Sequence, residues 1–121
     1  MGVKINGFMQ LNTKWKRILS QYPEHADTLL VQQAELLIAD TKAKTPVDTG
    51  ALRNAWTRSE VANSSVEVYN NTDYANHVEY GHRTAKGGFV KGSKMLHRSI
   101  VHRRSVFLKD TRTILRNLID D

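Results

Sequence analysis

The chain contains no cysteine, which excludes a disulfide framework and a thiolate metal site. Proline is limited to Pro23 and Pro46, so a helix can run uninterrupted between them. No apolar run approaches the roughly 20 residues needed to cross a bilayer, and no membrane partner is expected. The opening Met1-Gly2-Val3-Lys4-Ile5-Asn6 lacks the apolar core of a secretory signal, so no leader is expected either. Acids are nearly absent between Arg83 and Arg116, where ten Lys or Arg residues accompany Asp110 alone. Aromatic residues are equally scarce there, only Phe89 and Phe107, which argues against base stacking on a single strand.

What is present describes one ordinary folded domain spanning 1–121. Its 121 residues are 40% hydrophobic and 25% charged, typical of a globular chain, and no repeat or low-complexity linker divides it. The net charge of +6 is concentrated in residues 83–116. Such a segment suits an anionic partner, nucleic acid first, or else a solvated helix face. Contact with DNA would run through phosphates, without sequence preference.

Apolar spacing predicts a helix over about residues 7–21, with Phe8, Leu11, Trp15, Ile18, Leu19 and Tyr22 on one stripe. A second helix is expected from about Glu24 to Lys42 or Ala43. Pro23 suits its first turn, and Leu30, Ala34, Leu37, Ile38 and Thr41 form its inner face. Pro46 forces it to stop at Thr45. Gly50 then admits the chain to a short turn that Asp48 or Thr49 can cap. Ala55–Val61 and Ser65–Asn70 read as a β-hairpin around Ala62-Asn63-Ser64, with Trp56 as a core or interface anchor. Asn70-Asn71-Thr72-Asp73 offers caps for a short helix at residues 74–80, ended by Gly81. Residues 82–92, with three glycines, three Lys or Arg residues and His82, are expected to be a mobile loop or a weakly packed hairpin arm. Ser93 is the expected N-cap of a last helix over about Lys94–Leu118. The fold class that results is α+β: a small antiparallel sheet packed by two N-terminal helices and a long C-terminal helix.

Candidate chemistry is thin. His97 and His102 are five apart and do not share a helix face, and His77, Glu79 and His82 straddle a helix end, so no metal site is expected. Ser93, His97 and Asp110 lack a nucleophile elbow. Glu79 and Asp73 read as solvated carboxylates rather than an acid/base pair. Lys86-Gly87-Gly88 lacks the spacing of a phosphate-binding loop. Neither an enzyme nor a cofactor is expected.

Thr45-Pro46-Val47-Asp48-Thr49-Gly50-Ala51-Leu52-Arg53 resembles a signature of the neck and minor-tail proteins of long-tailed bacteriophages and prophages. These are the small head–tail joining or tail-completion proteins of the lambdoid type. Tyr74-Ala75-Asn76-His77-Val78-Glu79-Tyr80-Gly81 is similar to a second element of that family, "Y-A-x-x-V-E-x-G". Gly88-Phe89-Val90-Lys91-Gly92 with Met95-Leu96 resembles the ending of one branch. The matches run in order from about Lys42 to Ile100.

The resemblance implies a virion structural protein of the head–tail junction or tail, made in the bacterial host cytoplasm. Its partners would be copies of itself in a ring and the connector, neck and tail proteins. It implies structural residues rather than catalytic ones: Pro46, Asp48, Thr49, Gly50, Leu52, Arg53, Tyr74, Val78, Glu79 and Gly81. Arg53 is expected to pair with Asp48 across the turn. Candidates for facing a partner or DNA are Arg83, Lys86, Phe89, Lys91, Lys94, Arg98, Arg103 and Arg104. Nonspecific nucleic-acid binding by residues 83–116 is the rival function.

Overall fold

A computed structural model describes residues 2–5, 20–47, 50–63 and 65–119. In chain order these form β1 (Gly2–Ile5), α1 (Pro23–Lys44), α2 (Ala51–Asn54), β2 (Thr57–Arg58) and β3 (Val66–Tyr69). They continue as α3 (Ala75–Tyr80), β4 (Gly81–Arg83), β5 (Phe89–Lys91) and α4 (Met95–Ile119). The architecture is α+β. The helix expected over 7–21 lies outside the described residues except for Ser20 and Gln21, which are helical.

α1 follows its sequence closely. Pro23 occupies the first turn with Glu24, and Lys42 and Lys44 occupy the last, each sign placed favourably along the helix dipole. Ala26, Leu29, Leu30, Gln33, Ala34, Leu37, Ile38 and Thr41 are its buried residues, a stripe in steps of three and four. Thr45 leaves the helix in an extended conformation, φ −79° and ψ 126°, as a residue before proline must.

The sheet has one strand more than the expected hairpin. β1 pairs antiparallel with β3, and the order is β1-β3-β2. Val3 and Ile5 do alternate with smaller or polar neighbours, but four residues carry little periodic signal, and the partner strand is distant in sequence. The strand expected over Ala55–Val61 shrinks to Thr57–Arg58. Beyond it, Ser59 pairs with Glu67 through its backbone N–H (2.8 Å) and also through its hydroxyl, which accepts the Glu67 N–H at 2.9 Å. The pairing then shifts by one residue before Ala62 meets Ser65, a bulge that cuts the ladder short.

Val66 and Val68 face inward against α1, whose Leu30, Ala34, Leu37 and Ile38 form the core with Leu52, Trp56, Ala75, Met95 and Leu96. α1 also packs along α4. There Gln33 Oε1 accepts a hydrogen bond from Arg103 Nη2 at 3.2 Å. The Glu35–Arg58 ion pair, 2.7 Å, joins α1 to β2; partly exposed, it contributes at most about 1 kcal/mol.

A buried polar joint ties the end of α1 to the sheet. The Thr45 hydroxyl donates to the Thr41 carbonyl at 2.7 Å and accepts the Trp56 indole N–H at 3.0 Å. Thr45 and Trp56 are both buried, so neither group has water as a substitute. Thr45→Val, which keeps the shape, is expected to lower stability by about 1–3 kcal/mol by orphaning the indole N–H. Urea unfolding monitored by Trp fluorescence measures it, and an unchanged midpoint would mean the bond contributes nothing.

Candidate functional site

The second signature element folds into a clamp. α3 is six residues long, and its Glu79 is not solvated as its sequence suggests but 2% exposed. Glu79 Oε1 accepts the Leu96 N–H at 2.8 Å, and Oε2 accepts the His97 N–H at 3.0 Å. The backbone of the same turn holds the two preceding donors. Ser93 N–H bonds the Val78 carbonyl at 2.7 Å, and Lys94 N–H bonds the Glu79 carbonyl at 3.1 Å. Four donors at the start of the 25-residue α4 are therefore met by Val78 and Glu79. The carboxylate also faces the positive end of the helix dipole.

This overturns Ser93 as the cap. Its hydroxyl is buried without a hydrogen-bond partner, and Lys94 turns the chain with φ 52°, so the helix begins one residue later. The cap comes instead from 17 residues upstream. The caps expected at Asn70–Asp73 are displaced as well, since the N-cap of α3 is Tyr74, with no side-chain cap hydrogen bond. Asn70 is buried and joins other elements. Its Nδ2 donates to the Leu52 carbonyl at 2.8 Å, and its Oδ1 accepts from the Thr72 N–H and hydroxyl.

Between the clamp's two halves runs the arm. β4 and β5 pair as Gly81↔Lys91, His82↔Val90 and Arg83↔Phe89, so of the two forms expected for residues 82–92 the chain adopts the hairpin. Thr84 closes its tip, accepting the Gly87 N–H with its carbonyl and the Gly88 N–H with its hydroxyl. The root is two glycines packed backbone to backbone. A Cβ on Gly92 would strike the Glu79 carbonyl oxygen and lie 2.5 Å from the Tyr80 carbonyl carbon. Gly81 has φ +86°, and a Cβ there would strike the Val90 carbonyl oxygen. No other residue permits this approach.

Apolar side chains on and beside the arm face solvent: Tyr80 is 65% exposed, Phe89 66% and Val90 46%. Inside the arm's root an open cleft of about 360 Å³ is lined by Pro46, Tyr74, His77, Val78, His82, Val90, Lys91 and Ser93. It joins the first signature stretch to the second. The His77 and His82 rings stack at 5.2 Å between centroids. Among the described residues no three His, Asp or Glu side chains gather where they could share a metal.

Three of the remaining signature residues serve the backbone or the core. Gly50 has φ 86° and precedes α2, Leu52 is in the core, and Val78 packs at its edge. Pro46, Arg53 and Tyr74 are exposed, whereas Asp48 and Thr49 lie outside the described residues, and with them the expected Asp48–Arg53 pair. Of the candidate partner-facing residues, Arg83, Lys86, Phe89, Lys91 and Lys94 belong to the arm and its exit. Arg98 and Arg104 are exposed on α4, and Arg103 is half-buried against Gln33.

What folds here is an α+β domain with an open arm that begins at the end of its second signature element. Residues 10–81 match the family described as "Bacteriophage HK97-gp10, putative tail-component", and the chain belongs to that family of phage tail components. The match includes both signature elements and ends where the arm begins. Comparison with curated proteins found no match, and comparison with solved structures found none either.

Proposed function

We propose that this protein takes part in tail completion or head–tail joining. It assembles with copies of itself into a ring and docks on neck and tail neighbours, with the arm as its docking element. The observation that carries this reading is the arm itself. Phe89 and Val90 are exposed on a hairpin held rigidly at its root yet separate from the core sheet. A two-stranded ribbon of this kind can add to a neighbour's sheet edge or lay its apolar side chains in a neighbour's cleft. Charge supports a contact between unlike surfaces of successive copies. Eleven of the twelve acids lie outside residues 83–116, which hold ten of the eighteen cations. The arm's share of these, Arg83, Lys86 and Lys91, set against the more acidic remainder of the next subunit would be a heterologous contact, the type that closes rings.

Electron microscopy of lysates from a phage lacking this protein tests the role. The expected result is filled heads and finished tails left unjoined, with tailed particles restored by the protein supplied in trans. Normal tailed particles without it would overturn the reading. For the arm, Phe89→Ser with Val90→Ser is expected to melt within about 0.5 kcal/mol of wild type, both positions being exposed. The same variant should fail to co-purify with neck or tail particles; retention at the wild-type level would remove the arm from the interface.

A further inference from the structure

The ten cations of residues 83–116 do not form one patch. Arg83, Lys86, Lys91 and Lys94 go with the arm, Arg103 turns inward to Gln33, and Arg104 is exposed on another face of α4. On α4, Arg98, Lys109, Arg112 and Arg116 are all exposed. At 3.6 residues per turn they fall within about 60° of arc and extend about 27 Å along the axis. We infer that this ridge is a binding surface for the phosphate backbone of duplex DNA, read without regard to sequence.

The shape and chemistry of the ridge select that partner. A single continuous helix carries it, so its cations meet a linear polyanion along one line. Duplex DNA offers about one charge per 1.7 Å of axis, and no match of spacing is needed. The position between the cations on this face, Ser105, is polar and exposed. His102 flanks the ridge on one side and exposed Val101 on the other, and a single apolar residue beside four cations does not suit insertion into a lipid surface. No Phe, Tyr or Trp stands on the ridge, so single-stranded bases find nothing to stack on. Its positive charge is also available. Among the described residues, the carboxylate within ion-pair distance of this face is Asp40, 3.9 Å from His102 at its flank. Arg98 Nε donates to the Ser93 carbonyl, a neutral acceptor that orients the guanidinium without cancelling its charge.

Fluorescence anisotropy with a labelled random-sequence duplex of about 24 base pairs, titrated between 50 and 200 mM salt, tests this. Four phosphate contacts give a slope of log affinity against log salt near −3.6, a loss on the order of 100-fold across that range. Lys109→Gln with Arg112→Gln and Arg116→Gln is expected to bring the slope to about −1 and weaken binding at least 10-fold at 50 mM salt. Glutamine has similar helix propensity, and a matching thermal melt confirms that the triple variant is folded. Arg83→Gln with Lys86→Gln, on the arm, should bind as wild type. The inference fails if the triple variant binds like wild type, or if the arm variant loses binding equally. It also fails if one duplex sequence is strongly preferred, or if phosphatidylglycerol vesicles compete as well as DNA does. This surface is separate from the arm, so its failure would leave the docking role untouched.

Discussion

Gly92→Ala is expected to lower stability by about 3 kcal/mol or more, a fall in melting temperature on the order of 10 °C for a domain of this size. The three atoms nearest the added methyl are all main chain. The Glu79 carbonyl oxygen is in its way, with the Tyr80 carbonyl carbon at 2.5 Å and the Gly81 nitrogen at 2.6 Å. Side chains can rotate away from an intruder, but main chain cannot move unless the clamp opens. Opening it separates Val78 and Glu79 from the start of α4, so the collision and the lost hydrogen bonds add. Thermal unfolding by circular dichroism measures the effect. A loss below 1 kcal/mol would mean that the arm root is looser than its packing indicates.

Glu79→Ala is the second large effect, about 2–3 kcal/mol. It leaves the Leu96 and His97 N–H groups without their acceptors, the first at a buried position and the second at a partly buried one. It also removes a negative charge from the positive end of α4. Glu79→Gln keeps one carbonyl oxygen and is expected to lose about half as much. Amide exchange gives the residue-level readout: the Leu96 and His97 protons should exchange markedly faster in the alanine variant. If they stay as protected as in wild type, with an unchanged melt, the carboxylate is not what holds the helix start.

These two residues also mark where the sequence stops being readable. The stop at Thr45-Pro46, the buried stripe of α1 and the alternation of Val66 and Val68 are local, set by proline geometry and by periods of 3.6 and 2. Sequence reasoning places them well. Glu79 binds backbone N–H groups, which carry no residue identity, so nothing near Leu96 announces that its cap is a carboxylate 17 residues earlier. Beside Asp73 it reads as an ordinary solvated acid. Only its place in the "Y-A-x-x-V-E-x-G" element marked it as structural. β1 was missed for a related reason, because the strand that makes it a strand is β3. The trio of glycines at residues 87, 88 and 92 suggested looseness. Gly92 instead permits a close approach, a distinction that depends on what stands opposite. Charge counting found the basic segment, but helix periodicity together with the fold was needed to divide it into an arm, an inward-facing Arg103 and the ridge on α4.

The central claim, that the arm is the part of this tail component that neighbours cover, has a direct measurement. The natural chain has no cysteine, so Ala85→Cys at the exposed arm tip introduces a single thiol for labelling. Maleimide modification of the free protein is expected to be fast. In assembled particles it is expected to be slowed at least 10-fold, with the labelled fraction recovering when the particles are dissociated. Equal labelling rates in the free and assembled protein would contradict the account.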